Sequence, residues 1–269
     1  MATTHGILNP RAGEARFTLE RHPPASDLAA FVERYWLVRW DLRGAPPFAQ
    51  ETLPHPNVNL VIGTHRPGVH GVGTERFVAA LSGLGWVVGV KFRPGGFHPF
   101  FRRDVSELTG REMPLLEAFG QDGATLERDV LGAPDDGGRI ERIERFLRGR
   151  NPDLDDRMLL VSRAVDLARA DPGLLRTSEL ARRLDVSTRT LERLFRRYVG
   201  VPPKWVLRRF RVHEACVRIA SGIPACWSTF AQELAYFDQA HFIRDFKAQV
   251  GRTPSEYAAE CLAAVAQPA

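Results

Sequence analysis

At 269 residues with 44% hydrophobic content, the chain can fill one large or two ordinary domain cores, which excludes a disordered chain. No apolar run reaches membrane-spanning length or resembles a leader peptide, so a soluble cytoplasmic protein with no membrane partner is expected. Cys216, Cys226 and Cys261 are three in number with no paired spacing, which argues for free thiols over a disulfide frame.

The net charge of +5 is modest, but it is unevenly placed: residues 161–260 hold 17 Arg plus Lys against 11 Asp plus Glu, a net of +6, leaving about −1 elsewhere. Arg supplies 15 of those 17 groups, and its planar fork suits phosphates and guanine edges. An Arg-biased helix surface is the alternative source of such charge, so the motifs must decide.

Taken in order, residues 1–20 read as an arm or a first edge strand. Leu28 to Val32 reads as a short helix. Arg34-Tyr35-Trp36-Leu37-Val38-Arg39-Trp40 alternates aromatic and β-branched residues and predicts a strand. Pro46-Pro47 and His55-Pro56-Asn57 mark turns. Further strands are predicted at Asn59–Ile62, Arg76–Leu81 and Trp86–Phe92, with the Arg66-Pro67-Gly68 loop between them. The pattern is that of a Gly- and Pro-punctuated antiparallel β-domain, a small barrel or sandwich. Val105–Leu108, Leu115–Phe119, Asp122–Val130 and Ile140–Leu147 then read as helices, with a hinge at Gly132–Gly138. After Asn151-Pro152-Asp153 everything is helical, at about 157–169, 177–184, 188–199, 203–220, 227–234, 239–250 and 255–264.

Two units in this last region share one construction. A short supporting helix with Leu180, Ala181 and Leu184 leads through Asp185-Val186-Ser187 into a helix capped by Ser187. Leu191, Leu194 and Phe195 form its buried face, with Arg189, Glu192, Arg193 and Arg196 outward. Later, Asp238 caps a helix with Phe242 and Phe246 on one face and Gln239 and Arg244 off it. A short polar start and a basic outer face suit insertion into a DNA major groove.

The C-terminal hundred residues resemble the AraC-type regulators of bacterial transcription. The resemblance runs through Ser187-Thr188-Arg189-Thr190-Leu191-Glu192-Arg193-Leu194-Phe195, Gly200-Val201-Pro202-Pro203 and Arg211-Val212-His213-Glu214-Ala215. It closes on Asp238-Gln239-Ala240-His241-Phe242-Ile243-Arg244-Asp245-Phe246-Lys247 and Gly251-Arg252-Thr253-Pro254-Ser255-Glu256-Tyr257. The resemblance implies a sequence-specific DNA-binding transcription regulator whose two second helices enter successive major-groove faces, held apart by a rigid linker helix. By alignment the base-facing candidates are Arg189, Glu192 and Arg193, then Gln239, Ala240, His241 and Arg244. Candidates for the DNA backbone are Ser187, Arg196, Arg197, Lys204, Arg208 and Lys247. Ala235 stands where the family usually has Gly, and Ala-Tyr-Phe reads as one extra residue of helix, with a small reorientation of the second unit as its expected consequence.

The N-terminal stretch resembles the effector-type domain attached to a subset of these regulators, through Thr52–Val61, Gly89–Phe97 and Val105–Thr109. The expected fold is therefore α+β with two domains. A cupin-like antiparallel β-barrel or sandwich with short helices (1–121) and a helical linker region (122–153) precede an all-α double helix-turn-helix (154–269). Trp36, Trp86, Lys91, Arg93 and Phe97 are candidates for an effector pocket, although core packing explains the aromatics equally well. His55, His65, His70 and His98 lack a ligand-like spacing, so no metal and no cofactor is expected. No Ser, Cys or His sits in a nucleophile context, so no enzyme activity is expected. Expected partners are double-stranded DNA, a small-molecule effector, RNA polymerase and a second copy of the chain. The alternative is a DNA-binding protein whose β-domain only dimerises or binds another protein and senses no ligand.

Overall fold

Period-2 alternation in the first third of the chain produces strands, and the period of 3.6 that follows produces helices. The protein, represented by a computed structural model, is described over residues 6–8, 13, 16–222 and 224–266, so most of the expected N-terminal arm lies outside the described residues. The strands are β1 (Thr18–His22), β2 (Val32–Leu42), β3 (Phe48–Thr52), β4 (Asn59–Gly63), β5 (Gly68–His70), β6 (Phe77–Leu81), β7 (Gly83–Phe92) and β8 (Glu112–Met113). The expected short helix over Leu28–Val32 is a pair of turns, and Val32 already pairs with Phe92 in β2.

The cupin-like barrel expected from the resemblance is not formed. Six strands run in the order β1-β2-β7-β4-β5-β8, and β3 pairs with β6 in a separate two-stranded sheet, with an isolated bridge from Thr52 to Ile7 on its other side. The ladder ends on β1 at one edge and on β8 at the other, so both sheets are open. Closure requires every strand to have two neighbours, and the far side tapers through β5 and β8, of three and two residues. Such short edges blunt a sheet without closing it.

One face of the large sheet carries Tyr35, Leu37, Leu60, Ile62, Val88, Val90 and Phe92, all buried. Helices cover it: α1 (His98–Phe101), α2 (Leu115–Phe119), α3 (Gln121–Leu131) and α4 (Asp136–Gly149), with a 3-10 turn at Val105–Leu108. Tyr35 OH donates to Glu144 of α4 at 3.1 Å. On the opposite face Trp36 lies so close over Gly89 that a Cβ there would stand 2.1 Å from its ring. Glycine inside this strand is thus a packing requirement.

The helices that follow are α5 (Asp156–Ala170), α6 (Thr177–Arg183), α7 (Thr188–Tyr198), α8 (Pro203–Ser221), α9 (Trp227–Glu233), α10 (Gln239–Val250) and α11 (Pro254–Ala266), close to the ranges the apolar spacing predicts. One buried cluster runs without a break from Leu28 and Val90 through Phe97 and Val105 to Val161, Leu191, Tyr198 and Phe210. A second joins Leu8 and Leu53 to Phe230, Phe242, Phe246 and Tyr257. Both therefore contain side chains from either side of residue 153, and apolar burial of this kind is the main favourable term in folding.

Candidate nucleic-acid interface

The two helix-turn-helix units are built by the same local chemistry. In the first, α6 ends at Arg183 with Leu184 as its C-cap, and Asp185 takes a left-handed conformation with φ 54. Asp185 N–H then bonds Arg182 O at 3.2 Å, and Val186 N–H reaches back to Ala181 O at 3.1 Å. In the second, Ala235 has φ 56, with Ala235 N–H bonding Gln232 O at 2.8 Å and Tyr236 N–H bonding Ala231 O at 2.9 Å. This is the paired carbonyl closure of a helix end that needs one left-handed residue. Ala235 therefore does not extend α9, contrary to the sequence reading, and the second turn keeps the geometry of the first.

Each turn hands over to a capped helix. Ser187 Oγ accepts from Thr190 N–H at 3.1 Å, and Asp238 Oδ1 accepts from His241 N–H at 2.6 Å. Such caps satisfy backbone donors that a helix start leaves open, worth about 1 kcal/mol each. Leu191, Leu194, Phe195 and Tyr198 are buried on α7, and Phe242, Phe246 and Val250 on α10. The complementary faces leave Arg189, Glu192, Arg193, Gln239, Ala240, His241 and Arg244 all exposed.

The two units are joined by α8, whose 19 residues extend about 28 Å at 1.5 Å per residue. It is fastened to α10 by a network that the sequence reading does not identify. Asp245 is buried on α10, where its carboxylate is paired with Arg208 of α8 and accepts from Tyr236 OH at 2.8 Å and Gln249 Nε2 at 3.1 Å. Burial pushes the Asp245 carboxyl up, but these hydrogen bonds outweigh it and hold the group below the usual carboxylate range. The available signal was an acidic residue one step from Phe246 and three from Phe242, on the apolar face of a helix.

Another face of α8 meets the N-terminal part. Arg209 is fully buried and donates Nη2 to Thr74 O at 2.7 Å, while its Nε and Nη1 have no hydrogen-bond partner among the described residues. Burial lowers its pKa to about 10. His213 is buried one turn on, and its ring stacks on that of His55 at 4.1 Å. The far end of α7 is held similarly: Arg197 Nε donates to His98 Nε2 at 3.0 Å, and Thr109 Oγ1 donates to Gly200 O at 2.7 Å.

The backbone candidates therefore have different surroundings. Ser187 acts as a cap, Arg197 is engaged by His98, and Arg208 by Asp245. Arg196 lies 3.8 Å from Asp104, and Lys204 and Lys247 are exposed.

The effector candidates are not brought together. Trp36 and Lys91 lie on the sheet face away from α4, and the Lys91 ammonium is 3.1 Å from a Glu33 carboxylate oxygen. Burial lowers the Lys91 pKa to about 8, with Glu33 acting against that shift. Trp86 stacks under Arg139 of α4 at 3.9 Å, and Phe97 is buried among Phe92, Phe101 and Phe119. Arg93 is exposed and donates to Ala29 O at 2.7 Å. The four singled-out histidines are likewise dispersed: His55 on His213, His65 beside Trp40, His70 near Glu112 and His98 on Tyr198.

Two capped, outward-facing helices on matched turns, joined by one clamped linker helix, form a double helix-turn-helix, an arrangement suited to binding DNA. Comparison with known proteins agrees. Residues 180–260 match the family model described as a helix-turn-helix domain, and residues 20–114 match a domain of unknown function (DUF6597). The C-terminal region thus carries a helix-turn-helix domain by its family match as well as by its geometry. No curated protein matches the chain significantly. Among solved structures, ToxT from Vibrio cholerae is 12% identical, covering 91% of this chain and 98% of its own, with a TM-score of 0.37. The AraC-like transcriptional activator CuxR is 16% identical over 77% of this chain and 89% of its own, with a TM-score of 0.21. Likenesses this distant carry no argument about mechanism.

Proposed function

We propose that α7 and α10 are the two reading helices of one rigid head. Arg189, Glu192 and Arg193 meet base edges in one major-groove segment, and Gln239, Ala240, His241 and Arg244 meet those of the next. The observation that carries this reading is the identical construction of the two units, which leaves all seven side chains exposed at the N-terminal and outer sides of their helices. Arginine recognises guanine by donating to both O6 and N7, whereas glutamine suits adenine. Lys204 and Lys247 are the favoured phosphate contacts. Arg208 and Arg197 are positioning groups in this reading, since each is already engaged by a side chain that fixes a helix.

Control by a small-molecule effector belongs to the same proposal. It is supported by the way α7 and α8 are held by residues of the N-terminal part: His98, Thr109 and Thr74. A ligand that bound one arrangement of those residues better than another would shift the reading helices accordingly. Selection from a randomised duplex tests the DNA reading. Arg193→Ala and Arg244→Ala should each relax discrimination at one position of the selected site, by about 1–3 kcal/mol for a lost bidentate contact. Equal losses on the selected site and on random duplexes for both variants would reject the assignment.

A further inference from the structure

A cleft of about 480 Å³ opens between α3, α4 and the segment leading from α4 towards α5. Its wall carries four guanidinium groups, Arg102, Arg142, Arg145 and Arg150, against two carboxylates, Asp122 and Asp129. Leu126 and Phe146 supply an apolar side. Three of the arginines are held by main-chain oxygens: Arg102 donates to Arg150 O at 2.8 Å, Arg142 to Gly138 O at 2.9 Å and Arg150 to Phe100 O at 3.2 Å. Such bonds aim the forks without neutralising them. Arg145 has a close carboxylate in Glu141 at 2.6 Å, while Arg150 is 3.6 Å from Asp122.

The Arg150 guanidinium is also held over the Phe119 ring, 5.3 Å from its centroid. A concave wall with surplus positive charge also focuses the field on its interior.

We propose that this cleft binds a small anionic molecule. A carboxylate or phosphate group is clamped by Arg142, Arg145 and Arg150, and the apolar part of the molecule lies against Leu126 and Phe146. The proposal rests on the reading of the protein as effector-controlled and gives that effector a site and a chemical class. It also places the ligand near two of the groups that hold α7, His98 and Asp155. Arg102 ends α1, whose His98 accepts from Arg197 and lies 4.2 Å from the Tyr198 ring. Asn151 leads to Asp155, which caps α5 and accepts from Tyr198 OH.

The test uses the full chain, with citrate and inorganic phosphate as separate probes and sodium chloride at matched ionic strength as control. At about ten times its dissociation constant, a bound anion should raise the melting temperature by roughly 3 °C in a saturable way. The Arg142→Gln/Arg145→Gln double variant should abolish that rise while its unliganded melting stays close to wild type. A rise with citrate alone assigns a carboxylate ligand, and one with phosphate alone a phosphorylated one. The proposal is overturned if neither anion exceeds chloride, or if the double variant keeps the full shift. Fluorescence anisotropy on the selected duplex separates the two readings. A rise that maps to the cleft but leaves DNA affinity unchanged keeps the binding site and rejects effector control.

Discussion

Replacing Ala235 by glycine tests whether the second helix-turn-helix carries backbone strain in its turn. Ala235 has φ 56, and the two hydrogen bonds that close α9 around it are main-chain bonds that glycine would also make. A Cβ in the left-handed region costs about 1–2 kcal/mol. The variant's freer unfolded chain returns about 0.4–1 kcal/mol of that difference to the unfolded state. The net is about 0.5–1 kcal/mol in favour of glycine by those two opposing effects. Asp185, at φ 54 in the first turn, is a residue type that enters this region more readily, so Asp185→Gly should gain less. Urea unfolding of the full chain, followed by helical circular dichroism, reads the effect as a higher midpoint at unchanged slope. Ala235→Val should move the midpoint the other way, because a β-branched side chain is a worse occupant of positive φ. A lower midpoint for Ala235→Gly would refute the strain argument. Because the second turn already has the geometry of the first, the base selection of Ala235→Gly should match that of wild type.

The remaining predictions concern the buried charges and the shared cores. Asp245 has a folded pKa held below its unfolded value by Arg208, Tyr236 and Gln249 acting against burial. Its stabilising contribution is therefore present above the unfolded pKa and is lost as pH falls through the folded one. Asp245→Asn should flatten that acid limb of the stability profile, and an unchanged limb would count against the network. Arg209→Met should leave stability equal to or above wild type, since a buried guanidinium with two nitrogens unpartnered among the described residues is replaced by an apolar chain of similar length. Arg209→Ala should instead lose stability through the cavity it leaves, so a urea midpoint for methionine as low as for alanine would overturn the reasoning. The fragment 154–269 should keep helical circular dichroism and bind DNA, but unfold at lower urea than the full chain, because both buried clusters lose N-terminal side chains. A midpoint equal to that of the full chain would show those contacts to be energetically idle.

Much of the C-terminal region was legible because its signals are local. Ser187 and Asp238 as caps, and the Leu191–Leu194–Phe195 and Phe242–Phe246 spacings, require only a period and a polar residue before it. The N-terminal topology was less legible. Whether β1 meets β8 depends on strand lengths and on pairing between segments about ninety residues apart, and no local pattern records that. β3, β5 and β8 were missed for a related reason, since short strands among Gly and Pro read as loops until a partner pairs with them. The candidate site shows the same division. Outward positions such as Arg193 and Arg244 follow from helix phase. The fastening of Arg208 to Asp245, of Arg197 to His98 and of Arg209 to Thr74 involves residues 37, 99 and 135 positions apart. Ala235 failed for a subtler reason: helix propensity favours Ala continuing α9, but the buried Tyr236, bonded back to Ala231 O, needs the chain to turn one residue earlier.

The central claim is that α7 and α10 read DNA together as one rigid head, with α8 clamped to α10 by Arg208 and Asp245. The direct measurement is affinity for the selected duplex with base pairs inserted between its two contacted segments. A linker helix of about 28 Å suits segments roughly one DNA turn, about 34 Å, apart. Inserting about half a turn rotates the second segment to the opposite side of the duplex. The account predicts that binding then falls to that of a duplex carrying a single segment, and that an Arg244→Ala change no longer matters on the inserted site. Unchanged affinity across the insertion, with Arg244→Ala still relaxing its base, would show two independently mobile units and contradict the claim.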